Sequence, residues 1–277
     1  MQKRVLAIHD ISCVGRCSLT VALPILSAGG VECSVLPTAV LSTHTGEFTG
    51  FTCHDLTGEL GPITRHLQTL NLPWDALFVG FLGSYEQIAL IDDAYDRLKN
   101  PGTLLLVDPA MADHGEVYQT YTPQMIAGTR ELCRRADIIT PNLTETALLL
   151  EEKFLPHPTP QQVEGMLKRL YALGAKKPVI TGVSQGEGLT GAAAFDGVAF
   201  HWAQSPVYPQ AFYGTGDVFS SALLTGLMAG RDLAGALYLA VGFTHEAISH
   251  TVEEGRPLRY GPCFEKALPW LVKEVSR

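Results

Sequence analysis

Apolar positions along the chain fall into two alternating patterns. Compact runs rich in valine, isoleucine and leucine, at Val5–His9, Glu32–Leu36, Ala76–Gly80, Leu104–Asp108, Ile138–Thr140 and Pro178–Val183, read as strands. Helical spacing or helix start signals mark Gly61–Leu70, Glu86–Lys99, Pro123–Arg135, Glu145–Glu152 and Pro160–Leu173, and two longer helical patterns, Val218–Ala229 and Leu233–His250, finish the domain. Strands that alternate with helices predict an α/β fold with a mostly parallel central sheet covered on both faces, since parallel neighbours need crossover connections. One stretch departs from the rhythm. Gly191–Phe195 and Val198–Trp202 flank Asp196-Gly197, which predicts a small β-hairpin with a two-residue turn, projecting beside the site.

In open α/β sheets ligands bind beyond the carboxyl ends of the strands, so polar residues just after the strands carry most weight. The most informative are Gly214-Thr215-Gly216-Asp217, leading into the apolar-periodic segment from Val218. A glycine turn at a helix N-terminus offers free N–H groups and a positive dipole end to an anion, and Asp217 in the first turn stands beside that anion as a candidate base. A carboxylate next to a phosphate cradle suggests a small-molecule kinase. Helix capping by Asp217 is the rival reading of the four residues taken alone.

Length and composition agree with an enzyme of one large domain spanning 1–277. The 277 residues are 46% hydrophobic and 17% charged, ordinary values for a globular chain. No apolar run approaches the roughly 20 residues that cross a bilayer, and no signal peptide is evident, so a cytoplasmic enzyme without membrane contact is expected. The net charge of −8 argues against nonspecific nucleic-acid binding. Six cysteines without a C-x-x-C pair fit reduced thiols, mostly core fillers.

Other strand ends carry kinase chemistry. Asp108 closes an apolar strand and Asp113 follows in the next loop, both placed to approach a metal-bound triphosphate. Thr140-Pro141-Asn142-Leu143-Thr144-Glu145 offers Asn142 and Glu145 either as magnesium partners, direct or through water, or as a helix cap and its capping-box glutamate. No Walker A sequence occurs. Gly186-Glu187-Gly188-Leu189-Thr190-Gly191 fits a dinucleotide fingerprint but precedes a hairpin instead of a helix. Gly182-Val183-Ser184-Gln185-Gly186 fits a nucleophile elbow, with Asp217 and His245 or His250 in hydrolase order, although the following glycines disfavour the helix an elbow needs. His245 and His250, five residues apart, point to different faces of one helix. A Ser184-dependent hydrolase and a non-catalytic ligand-binding protein remain as rivals.

Taken in order, Ala7-Ile8-His9-Asp10, Ser42-Thr43-His44-Thr45-Gly46, Gly80-Phe81-Leu82-Gly83-Ser84, Asp108-Pro109-Ala110-Met111-Ala112-Asp113, Ile138-Ile139-Thr140-Pro141-Asn142 with Glu145, Val179-Ile180-Thr181 and Gly214-Thr215-Gly216-Asp217 resemble the ribokinase superfamily, and within it the pyridoxal (vitamin B6) kinases. The resemblance spans nearly the whole chain. It implies a ribokinase-like three-layer α/β/α sandwich and ATP-dependent phosphorylation of the hydroxymethyl group of pyridoxal, pyridoxamine or pyridoxine. It makes Asp217 the base and Gly214, Thr215 and Gly216 the anion hole. It places Asp108, Tyr118, Asn142, Thr181 and Thr215 with the nucleotide, and Asp108, Asp113, Thr140 and Glu145 with Mg2+. A monovalent cation such as K+, a homodimer and an adenine pocket lined by Ala199–Tyr213 are further family expectations. On the substrate side the resemblance gives Asp10, His44, Thr45 and Phe81, with two departures: the family usually has serine where Asp10 stands and tyrosine where Phe81 stands. Asp10 could accept a bond from a protonated ring nitrogen or an amine, which leaves all three vitamers open, and a hydroxymethylpyrimidine, similar to pyridoxine in ring size and hydroxymethyl placement, stays open as the alternative substrate.

Overall fold

The computed structural model describes residues 2–277. Its strands in chain order are β1 (Arg4–Ser12), β2 (Glu32–Leu41), β3 (Cys53–Asp55), β4 (Ala76–Val79), β5 (Leu104–Val107), β6 (Ala112–Asp113), β7 (Glu116–Val117), β8 (Ile138–Ile139), β9 (Lys177–Val183), β10 (Leu189–Phe195) and β11 (Phe200–Pro206). Nine of them form one sheet in the order β11-β10-β9-β8-β5-β4-β1-β2-β3, while β6 and β7 pair separately as a short antiparallel ribbon. The run from β2 to β9 is parallel throughout, and antiparallel strands close both edges. Val5, Leu6, Ala7 and Ile8 of β1 are all fully buried, as a strand covered on both faces requires.

The helices are α1 (Leu19–Ala28), α2 (Thr57–Thr69), α3 (Tyr85–Leu98), α4 (Pro123–Arg135), α5 (Leu143–Leu150), α6 (Pro160–Leu173), α7 (Thr215–Met228), α8 (Leu233–Glu254) and α9 (Phe264–Val275). One core layer joins Val21 and Ile25 of α1, Leu223 of α7, Leu237 of α8 and Leu271 of α9 to Val5 and Phe78 of the sheet. The opposite layer joins Leu60 of α2, Ile91 of α3, Leu132 of α4, Leu149 of α5 and Leu167 of α6 to Leu6 and Ile8. The result is the three-layer α/β/α sandwich. No helix among the described residues is long and apolar enough to cross a membrane.

Several details differ from the pattern read in the sequence. Helices α1 and α9 were not expected, and each contains an internal proline, Pro24 and Pro269, which removes a backbone donor and reads as a helix break. In α1 nearly every residue is apolar as well, so no periodicity marks its buried face. The chain therefore does not finish on α8. The Asp196-Gly197 hairpin has a four-residue connection: Phe195 pairs with Phe200, and Asp196 Oδ1 accepts N–H bonds from Val198 (2.8 Å) and Ala199 (2.7 Å). The hairpin lies beside the site through its open end, where Thr190, Gly191, Ser205 and Pro206 line a cavity, and not through its turn. It extends the sheet, its turn at the end away from the carboxyl end of β9, so the start of β10 and the end of β11 face the ligand side. All six cysteines are free, but only Cys133 and Cys263 are buried, so core filling describes two of them.

The chain runs from β1 to β2 on one side of the sheet and returns to β4 on the other side of β1. The carboxyl ends of β1 and β4 therefore flank a topological switch point, the place where open α/β sheets leave a crevice. His9 and Asp10 lie near the end of β1 there, and Gly80 follows β4.

Candidate active site

Gly214 adopts a left-handed conformation, φ 75°, immediately before α7, and a Cβ on it would come within 2.2 Å of the Arg16 carbonyl oxygen. Only glycine fits a turn that is both left-handed and pressed against a neighbouring backbone. Thr215, Gly216 and Asp217 form the first turn of α7 with no side-chain cap on its amides. Those amides are open to an anion.

The turn faces a cavity of about 490 Å3 at the carboxyl end of the sheet. Asp108, Thr140, Asn142, Glu145, Thr181, Gly214, Thr215, Gly216 and Asp217 all line it, and Asp113 and Tyr118 reach it from the β6–β7 ribbon and the segment just beyond it. A larger groove of about 640 Å3 lies between α3 and α4, but helix-surface residues such as Asp92, Glu131 and Arg135 line it and no strand-end carboxylate reaches it.

Three carboxyl groups meet around the phosphate turn. Asp217 is about one-fifth exposed in the cavity wall. Burial, with repulsion from Asp108 and Asp10, pushes its carboxyl up to about 7, against a Ser18 backbone N–H that lowers it. Asp108 is also raised by burial, partly offset by the Ser220 hydroxyl, which donates to Asp108 Oδ2 at 2.9 Å. Thr140 Oγ1 lies 2.9 Å from the same hydroxyl, so Ser220 links two strand ends to α7. Burial and then repulsion from Asp108 raise Glu145. Ser220 carries no motif, but it stands three residues after Asp217, the helical interval that sets both on the cavity side.

The capping and metal readings of Asn142 and Glu145 are compatible. Asn142 Oδ1 accepts the Glu145 N–H and Glu145 Oε2 accepts the Asn142 N–H, both at 2.9 Å, a complete capping box. Glu145 Oε1 also accepts the Met111 N–H at 2.9 Å, and Asn142 Nδ2 donates to the Ala112 carbonyl at 2.8 Å. The N-terminus of α5 thus holds the β6–β7 ribbon over the cavity. Asp113 is half exposed and accepts the next residue's N–H, leaving it at the rim.

The residues expected on the substrate side, Asp10, His44, Thr45 and Phe81, do not line this cavity. Asp10 is buried, accepts the Ser18 hydroxyl at 2.5 Å and the Ser12 hydroxyl at 3.2 Å, and is raised by burial. His44 Nδ1 accepts the Gly46 N–H at 3.1 Å, which leaves the proton on Nε2 to donate to the Arg259 carbonyl at 2.5 Å. His44 therefore ties its loop to the chain's far end with both nitrogens. Thr45 is exposed, and Phe81 is half-buried with its ring 6.1 Å from that of Tyr121.

Of Ala199–Tyr213, only the part from Ser205 onward lines the cavity, since the preceding residues complete the turn and strand β11. His245 of α8 also lines the cavity, its ring 5.4 Å from that of Tyr208, centroid to centroid, a site position its sequence context does not reveal. Ser184 is outside the cavity. Its hydroxyl bonds within its own turn, donating to the Gly186 carbonyl at 2.5 Å, and β10 follows where an elbow needs a helix.

Comparison with known proteins points to the same kind of chemistry. Residues 27–262 match the phosphomethylpyrimidine kinase family. The chain belongs to that family. The pyridoxine/pyridoxal/pyridoxamine kinase of Bordetella avium is 29% identical over 278 residues, covering 94% of this chain and 90% of its own. Among solved structures, one from Bacteroides thetaiotaomicron, described as a phosphomethylpyrimidine kinase and crystallised with pyridoxal, superposes with a TM-score of 0.92 at 35% identity over 98% of this chain and 96% of that one. The pyridoxal kinase of Lactobacillus plantarum superposes with a TM-score of 0.90 at 30% identity, covering 99% and 98%. The protein is a kinase of the ribokinase superfamily, in its pyridoxal kinase branch.

Proposed function

We propose that the protein transfers the γ-phosphoryl group of ATP to the hydroxymethyl oxygen of a B6 vitamer. The observation that carries this reading is the Asp217 carboxyl, raised to about 7 directly behind the open amides of the Gly214–Gly216 turn. The alcohol oxygen attacks the γ-phosphorus, its O–H proton passes to Asp217, and the bond from phosphorus to the bridging oxygen breaks to release ADP. The turn's amides receive charge that develops on the transferred oxygens.

The donor set suits Mg2+. Asp108 and Glu145 are both raised by burial, Glu145 further by repulsion from Asp108, and a divalent cation would relieve that repulsion. No group of three acidic, histidine or cysteine side chains forms a protein cage among the described residues. Asp108, with Thr140 and Glu145 near it, would hold the ion together with water and phosphate oxygens, as magnesium prefers. When bound, the ion would neutralise phosphate charge.

Recognition of the alcohol's ring falls to Asp10, Phe81 and the loop of His44 and Thr45. The buried Asp10 carboxylate suits a protonated ring nitrogen or an amine, where a serine would offer a neutral partner. The pyridoxal in the Bacteroides thetaiotaomicron structure supports a vitamer over a pyrimidine. ATP- and Mg2+-dependent ADP release with pyridoxal, pyridoxamine, pyridoxine, hydroxymethylpyrimidine and ribose tests the reading. Fastest turnover of a vitamer supports it, and preference for the pyrimidine overturns the specificity while leaving the chemistry.

A further inference from the structure

Beneath the first turn of α7 lies an imidazole without a partner. His9 is fully buried near the end of β1, and neither ring nitrogen has a hydrogen-bond partner. Its ring meets Phe78 edge to face, centroids 4.4 Å apart, and lies over Gly80, where a Cβ would come within 2.1 Å of Nδ1. Gly80 is thus the vacancy that admits the ring at the switch point between β1 and β4. Nδ1 lies 4.0 Å from Asp217 Oδ1, about 1 Å beyond hydrogen-bond reach.

An apolar side chain would fill this space at lower desolvation cost, so the nitrogens call for a role. Burial keeps the ring neutral at physiological pH, with a single N–H to donate. The surroundings of Asp217 are already rich in negative charge from Asp10 and Asp108, with the Cys17 thiol also close. A neutral donor fixes a carboxylate without the large loss of basicity that a cation would impose.

Resting on the reading of Asp217 as the base, we propose that His9 is its positioning residue. The Nδ1–H is aimed at Oδ1 of Asp217 and closes the gap when the carboxylate turns toward the alcohol, leaving Oδ2 to take the hydroxyl proton. His9 touches neither substrate nor nucleotide in this arrangement.

Three variants test the proposal. His9→Phe keeps a planar ring against Phe78 and removes both nitrogens, with His9→Leu in its place if circular dichroism shows that Phe unfolds the chain. His9→Asn returns an amide N–H near the position of Nδ1. The nitrogen-free variant is expected to lose about 10- to 100-fold in kcat, with KM for ATP and alcohol within about 3-fold, and His9→Asn to recover most of the loss. In an Asp217→Asn background the nitrogen-free change is expected to lower residual kcat no further. Wild-type kcat in the nitrogen-free variant, equal loss in His9→Asn, or a further full loss in the Asp217→Asn background would overturn the proposal. Near-normal turnover of Asp217→Asn alone would instead remove the reading on which it rests.

Discussion

Tyr213 donates its phenolic hydrogen to Glu47 Oε1 at 3.1 Å, joining the segment before the phosphate turn to the loop that follows β2. The ring also covers Gly46, where a Cβ would come within 2.6 Å of it, and lies 6.1 Å from the His44 ring. The segment before the glycine turn and the loop of His44 thus share one contact. An exposed hydrogen bond is worth little to global stability. Tyr213→Phe is therefore expected to leave the melting temperature within about 2 °C while raising KM for the alcohol several-fold, as steady-state kinetics with thermal melting would show.

Replacing Asp217 separates chemistry from binding. Asp217→Ala is expected to hold ATP within a few-fold of wild-type affinity by calorimetry while kcat falls by at least about 100-fold. Near-normal turnover would remove Asp217 from the role of base.

The two glycines of the phosphate turn should fail in different ways. Gly214→Ala drives a Cβ to 2.2 Å from the Arg16 carbonyl oxygen at a φ of 75°, and is expected to cost about 1–3 kcal/mol of stability as well as activity. A Cβ at Gly216 meets only Asp108 Oδ2, at 3.7 Å, an ordinary contact. Gly216→Ala should therefore melt like wild type yet bind ATP more weakly, since the methyl group enters the phosphate space. Denaturant titration with nucleotide binding distinguishes the two.

The buried carboxyls also set a pH dependence of stability. Asp108, Glu145 and Asp217 are all raised in the folded chain, so the native state binds more protons than the unfolded one and stability falls as pH rises. Their contribution is complete below the ordinary carboxyl range and is lost as pH climbs through about 7 for Asp217. Asp196, held low by the Ala199 amide, His201 and the Val198 amide, acts in the opposite sense at more acidic pH, and His9 and His44, both lowered by burial, oppose the carboxyls up to the ordinary histidine range. Above the ordinary histidine range the carboxyls decide, so the ligand-free melting temperature is expected to be lower at pH 8.5 than at pH 7, with Mg2+ raising it more at pH 8.5. A rising profile over that range without metal would contradict the raised carboxyls of Glu145 and Asp217.

Features carried by local pattern were legible in the sequence. The run Leu104–Val107 and the capped start of α6 at Thr159 announce themselves, the first by continuous apolar residues and the second by a capping box with Pro160 behind it. The Gly214–Asp217 turn is legible because glycine, helix start and carboxylate are adjacent. What stays hidden depends on partners far apart in the chain. His9 has meaning only beside Gly80 and Asp217, and Ser220 only beside Asp108 and Thr140. The uniformly apolar α1 hides its orientation because every face looks like a core face.

The Arg16 carbonyl oxygen is a wedge with two neighbours: Gly214 presses on it at 2.2 Å and Gly261 at 2.6 Å, both as virtual Cβ distances, while the Arg16 N–H donates to the Tyr260 carbonyl at 2.9 Å. Arg16 must therefore meet two segments some two hundred residues or more further along the chain before the glycine turn has its backing. Contacts so distant in sequence pay their loop-closure entropy late in folding. A chain emerging from its N-terminus can complete the parallel sheet long before it can grip a triphosphate. Nucleotide affinity would then arrive last, as the signal that the final segment has docked.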